Sequence, residues 1–171
     1  AIKKKYGASG DILEAEKRIE AIARDLVAHY IDNILPNSFK AQVVCHSKLA
    51  CVRYQAGIEA ALATRIAREE GQATPDTELL RRLRFLKTAV VISSDGTNEA
   101  AFITHARKQA MRLRAVDNFC KPFDLDDPDQ RNTGVAFLIV CDMLITGFDA
   151  PIEQVMYIDK RLREHTLLQA I

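Results

Sequence analysis

The sequence predicts an α/β fold in three layers, a mainly parallel sheet with helices on both faces. Three observations carry that expectation. Four short, largely apolar runs (AQVVC at 41–45, AVVIS at 89–93, VAFLIVC at 135–141 and QVMYI at 154–158) read as strands, the first with the mark of a strand buried on both faces. Helix-length stretches separate the first three runs, which makes the connections right-handed crossovers between parallel strands. Finally, 171 residues that are 48% hydrophobic and 27% charged suit one folded domain and exclude a disordered tail or a fibrous repeat.

Each element has its own signal. Asp11 and Glu14 form a capping-box pattern, and Ile12, Ala15, Ile19, Ile22 and Leu26 follow at steps of three and four, predicting a helix from Asp11 to about Leu35, before Pro36 and Asn37. After the first strand, Ser47 can cap a long helix whose apolar stripe is read as Leu49, Val52, Ala56, Ala60 and Ala63, ending at Gly71. Residues 72–76 form a loop, and Glu78 to Leu86 a helix bearing Arg81, Arg82 and Arg84. The second strand leads into the turn residues 94–98 and a helix from Glu99 to Asp117, with His105, Arg107, Lys108, Arg112 and Arg114. The polar segment 124–132 precedes the third strand. A loop with Gly147 and Pro151 leads to the fourth, and Glu164 to Ile171 begin a last helix.

Composition removes several function classes. The net charge of +1 excludes a protein that holds nucleic acid by overall charge, so any such role rests on placement of local groups. Cys45, Cys51, Cys120 and Cys141 form no CxxC pair, the four histidines lack zinc-finger spacing, and no metal site is expected. The cysteines are read as reduced, with Cys45 and Cys141 as small buried hydrophobes. No apolar stretch is long enough to span a membrane and no export signal is evident, so a soluble cytoplasmic protein is expected. The sequence contains neither GxxxxGK[ST] nor GxGxxG, nor GxSxG, HExxH or a kinase signature, which argues against a self-contained nucleotide enzyme.

In a parallel sheet, ligands meet the carboxyl ends of the strands. Here those ends are Cys45-His46-Ser47, Ser93-Ser94-Asp95, Cys141-Asp142 onward to Pro151, and Asp159-Lys160. Gly147 allows a tight bend, and Asp149 places a carboxylate two residues on that can accept from sugar hydroxyls or orient an arginine. The alternative for these two is a simple bend and a turn cap. The arginine-rich stretches 81–84 and 107–114 are either solvated helix faces or part of a DNA path.

Residues 137–171 read FLIVCDMLITGFDAPIEQVMYIDKRLREHTLLQAI. A strand ending in Asp142, the loop Thr146-Gly147-Phe148-Asp149-Ala150-Pro151, a strand ending in Asp159 and a helix carrying Gln169 follow in an order that resembles the second RecA-like domain of superfamily 2 helicases. VCDMLITGFDAP and VMYIDKRLREHTLLQAI are most similar to the motor subunit (HsdR) of type I restriction enzymes, and AQVVCHSKLACVRY, AVVISSDGTNE and DNFCKPFD extend the resemblance upstream. It implies a helical lead-in over 1–36 and a second RecA-like domain over 37–171, cut short at its C-terminal end.

The resemblance further implies that Gly147 and Asp149 line an ATP cleft between two RecA-like domains and that Gln169 opens the sixth motif. That motif's arginine finger would follow Ile171. ATP with Mg2+ would be held mainly by the first RecA-like domain. DNA-backbone contacts would fall on His46, Ser47, Ser93 and Ser94, and on the loop containing Asp142 and Thr146. Cys141 stands where many members carry threonine, and Thr146 would take over its hydroxyl. Implied partners are double-stranded DNA, the first RecA-like and nuclease domains of the same subunit, and the modification and specificity subunits. The isolated chain is expected to be inactive. Two rivals stay open: the same half-motor from another superfamily 2 protein, and a non-catalytic α/β module binding a nucleotide or a protein.

Overall fold

The computed structural model describes residues 12–96, 98–127, 133–141, 143–144 and 148–160. Its elements in chain order are helix α1 (Glu16–His29), strand β1 (Lys40–Cys45), helices α2 (Lys48–Glu70) and α3 (Thr77–Phe85), strand β2 (Lys87–Val91), helices α4 (Ala101–Arg112) and α5 (Ala115–Phe119), and strands β3 (Val135–Val140) and β4 (Glu153–Asp159). The four strands form one all-parallel sheet in the order β2-β3-β1-β4. The fold is the α/β sandwich that the alternating pattern predicts.

Register brings every carboxyl end to one edge: Val44 pairs with Val140 and Ile158, and Val140 with Val91. Side chains alternate across the sheet. Ala41, Val43 and Cys45 point into the larger core with Ile19, Ala23, Tyr54 and Ile58 of α1 and α2. Val44, Leu138 and Val140 face a smaller core closed by Ala115, Phe119 and the partly buried Phe148. The connection leaving β1 therefore runs over one face and that leaving β3 over the other. Adjacent strands whose connections part in this way open a crevice at their carboxyl ends.

Several boundaries move from the sequence expectation, each for a physical reason. Asp11 lies outside the described residues, Ala15 is the extended N-cap of α1 with no side-chain bond, and the Glu14 carboxylate instead accepts from the Ser47 hydroxyl. Ile12 stays 60% exposed rather than joining the stripe. Beyond His29 the helical path loosens into a π turn (Tyr30–Ile34) and a 3-10 turn (Leu35–Asn37), which Ser38 ends in the left-handed region.

In α2 the buried row is Ala50, Cys51, Tyr54, Ile58, Ala61 and Leu62, a different face from the alanine-led stripe expected. Tyr54, Ile58 and Leu62 have more apolar surface to remove from water than Ala56, Ala60 and Ala63, and they set the phase. The helix from Glu99 to Asp117 is two helices, because Arg114 adopts φ 45 and breaks the ladder. β2 begins at Lys87 and leaves Ile92 and Ser93 to the loop. The helix expected over 164–171 lies outside the described residues.

Two glycines mark close approaches. A Cβ on Gly57 would lie 3.0 Å from Ala23 Cβ, where α1 crosses α2, and one on Gly134 would lie 2.2 Å from the Phe85 carbonyl oxygen. Lys40 is fully buried on β1, donating to the carbonyls of Asn118 (2.9 Å) and Thr133 (2.8 Å) above the Phe123 ring, and burial pushes its ammonium down to about 7.

Candidate nucleic-acid and nucleotide interface at the carboxyl edge

Of the expected site residues, the structure brings His46, Ser47, Ser93 and Ser94 to the carboxyl edge of the sheet; Asp149 lies on the loop from β3 to β4, four residues before Glu153, which pairs with Lys40 at the amino end of the sheet, and Asp142, Thr146, Gly147 and Gln169 lie outside the described residues. His46 is exposed at the end of β1. Ser47 is the N-cap of α2, its oxygen accepting from the Ala50 amide at 3.1 Å while its hydroxyl donates to Glu14. A hydroxyl so engaged is primarily a helix cap.

Ser93 and Ser94 are exposed in the loop after β2. The Ser94 oxygen accepts from the Gly96 amide at 3.1 Å, where φ of +90 favours glycine. Glu99 organises this loop. Its carboxylate, with only 9% of the side chain exposed, accepts from the Thr104 hydroxyl (2.8 Å), the Asp95 amide (3.1 Å) and Arg107 (3.2 Å). Those donors, the Thr104 hydroxyl foremost, stabilise the carboxylate and hold its pKa down to about 2.

Asp149 follows Phe148, whose ring stacks on Phe119 with centroids 6.1 Å apart and so ties the loop to the smaller core. The Asp149 carboxylate is exposed and has no hydrogen bond to a described residue, unlike a turn cap. Upstream in the same loop, Leu144 sits at φ 62 and its carbonyl accepts from the fully buried Gln42 side chain at 3.0 Å.

A second network, across the rim, escapes sequence reading. Arg18 of α1 donates to both carboxylate oxygens of Asp159 at 2.6 Å, and the Tyr54 hydroxyl donates to the same group at 2.7 Å. Arg18, then Tyr54, holds the Asp159 carboxyl below its usual range against the opposing effect of burial. Lys160 donates to the Cys141 carbonyl at 3.0 Å. Residues 18 and 159 are far apart in sequence, and no local pattern announces their pairing.

The cysteines and arginines resolve more simply. Cys45, Cys51 and Cys141 are buried cysteines, and the neighbouring Cys51 and burial push the Cys45 thiol far up, into the unreactive range. Among the described residues no group of three His, Cys, Asp or Glu side chains could hold a metal, and no helix is long and apolar enough to cross a membrane. Arg81, Arg84, Arg107 and Arg114 pair with Asp126, Glu70, Glu99 and Asp117, and Arg82 donates to Ser38 and to the Leu35 carbonyl. Four of the six arginines in the two basic stretches are thus matched by carboxylates within the molecule.

Comparison with known proteins decides the family. The family model described as type I restriction enzyme subunit R domain 3 matches residues 86–171, which is half of the chain and includes β2, β3, β4 and the loop bearing Asp149. The chain belongs to the type I restriction enzyme subunit R family. A Methanocaldococcus jannaschii protein, whose name assigns it to the MjaVIIP endonuclease subunit of a type I restriction enzyme, is 31% identical over 164 residues, 95% of this chain and 14% of its own length. The type I restriction enzyme HindI endonuclease subunit of Haemophilus influenzae is 26% identical over 160 residues, 94% of this chain and 13% of its own length. This subunit R segment therefore spans about one seventh of those relatives.

Proposed function

We propose that this subunit R segment is the second RecA-like half of an ATP-driven DNA translocase, giving one wall of the ATP cleft and a set of DNA-backbone contacts. The observation that carries the reading is the exposed carboxylate of Asp149. It has no described hydrogen-bond partner and stands on the loop from β3 to β4, anchored by Phe148, within the segment that the family model matches. A carboxylate there can accept from ribose hydroxyls or orient an arginine.

The donor set proposed for the nucleotide fits only part of ATP. Asp149, with Gly147 and Gln169 beside it in the motif order, would meet the nucleoside and the reacting end, whereas nothing in the sequence forms a phosphate-cradling loop. The triphosphate and Mg2+ would sit mainly on the first RecA-like domain, and the nucleotide would supply the free energy for opening and closing the cleft. His46, Ser47, Ser93 and Ser94, with Asp142 and Thr146, would meet DNA phosphates without reading bases, as passage over any sequence requires. Ser47 would do so only by exchanging Glu14 for phosphate. Double-stranded DNA, a nuclease domain and the modification and specificity subunits complete the expected cytoplasmic assembly.

The test is turnover. The 171-residue chain alone should hydrolyse no ATP with or without duplex DNA, and the full-length subunit should do so with DNA stimulation. DNA-stimulated hydrolysis by the chain alone, or a full-length subunit indifferent to DNA, overturns the reading. Tight nucleotide binding by the chain alone would instead favour a self-contained binding module.

A further inference from the structure

Lys48 is the first residue of α2, where the helix dipole disfavours a cation by a few tenths to about 1 kcal/mol. Its side chain explains the choice. The ammonium, only 20% exposed, turns away from the helix, donates to the Ser93 carbonyl at 2.8 Å and pairs with Asp95. β1 and β2 are not neighbours in the sheet: β3 lies between them. Lys48 thus reaches past the end of β3 to hold the loop after β2.

The link belongs to a series across the whole edge. Lys160, after β4, donates to the Cys141 carbonyl after β3, and the Cys141 thiol approaches the His46 carbonyl after β1 at 3.7 Å. Lys48, after β1, then bonds the loop after β2. On the far side of that loop Glu99 holds the Asp95 amide, so Asp95 is gripped through its carboxylate by Lys48 and through its backbone by Glu99.

We infer that Lys48 is a positioning residue for DNA: it fixes the loop bearing Ser93 and Ser94 against the turn bearing His46 and Ser47, so that one phosphate track meets both, while its own charge is spent on Asp95 and not on DNA. The inference rests on the DNA reading of this edge and assigns within it a residue that touches no phosphate.

The salt dependence of duplex binding separates the two roles. In the full-length subunit, Lys48→Met should weaken duplex affinity about tenfold with the log–log salt slope unchanged, whereas loss of a direct phosphate contact lowers that slope by about 0.9. Arg84→Met, which removes a comparable exposed pair with Glu70 elsewhere, should change neither. Hydrogen exchange supplies a readout independent of DNA: the Ser94, Asp95 and Gly96 amides should exchange at least about tenfold faster in Lys48→Met, with the rest of the sheet unaffected. A slope reduced by about one unit makes Lys48 a phosphate ligand and overturns the inference. Unchanged exchange overturns it as well. Faster exchange with no loss of affinity removes the positioning role; if the wild-type subunit also binds no duplex, the DNA reading itself falls, a result distinct from the other two.

Discussion

The strand ends at the carboxyl edge and the loop that runs from β3 across one face of the sheet to β4 are built differently. At the rim almost every polar side chain is engaged: Ser47 with Ala50 and Glu14, Lys48 with Ser93 and Asp95, Glu99 with Thr104 and Arg107, Asp159 with Arg18 and Tyr54. In the loop, Phe148 is anchored and Leu144 is held from beneath by Gln42, while Asp149 is left exposed. Groups already satisfied inside the molecule add stability, and a carboxylate left to solvent adds almost none. The rim is a structural network, and the exposed Asp149 is the group that the proposed function assigns to the nucleotide.

The largest stability effect expected from this contrast is at Asp159. Asp159→Asn leaves Arg18 without its doubly bonded partner and should cost about 2–3 kcal/mol in urea unfolding at pH 7. Because Arg18 holds the Asp159 carboxyl below its unfolded range, that contribution is present at neutral pH and is lost as pH falls through the folded value. Wild type and Asp159→Asn should therefore converge in acid; equal stability at pH 7 would make the rim network incidental.

Glu153, at the start of β4, gives the opposite slope. Burial raises its carboxyl to about 7, so the folded state binds the extra proton between the ordinary carboxylate range and neutrality. Stability from this group is present in mild acid and is lost as pH rises toward 7. Glu153→Gln should flatten that fall and stabilise the protein at pH 8 by roughly 1 kcal/mol, discounted because water still reaches part of the group. A smaller loss, about 1 kcal/mol, is expected for Ser47→Ala, which removes the cap of α2. Asp149→Ala should shift stability least, by less than about 0.5 kcal/mol, as for an ordinary surface position. A Ser47→Ala variant of full stability, or an Asp149→Ala variant that unfolds easily, would erase the difference between rim and loop.

Sequence legibility follows the range of the interactions. Strands β1 and β3 were readable because burial on both faces leaves a nearly continuous apolar run, and the cap at Ser47 because it acts within three residues; the equally local cap at Asp76 was read as loop. The phase of α2 was not, since its alanines satisfy more than one stripe and packing against α1 at Gly57 chose between them. The break before α5 depends on a non-glycine residue, Arg114, held at positive φ by its surroundings, which no local preference announces. At the site, Asp149 was legible as a candidate from the Gly-Phe-Asp motif, but its place four residues ahead of β4, toward the amino end of the sheet, was not. The Arg18–Asp159 pair and the reach of Lys48 to Ser93 were not, because only the folded sheet brings those residues together.

The exposed carboxylate of Asp149 carries the central claim, and DNA-stimulated ATP turnover by an Asp149→Ala full-length subunit tests it most directly. The account predicts a fall of about 100-fold or more, with duplex affinity and unfolding midpoint within error of wild type. Turnover at the wild-type level in a folded Asp149→Ala protein would contradict it.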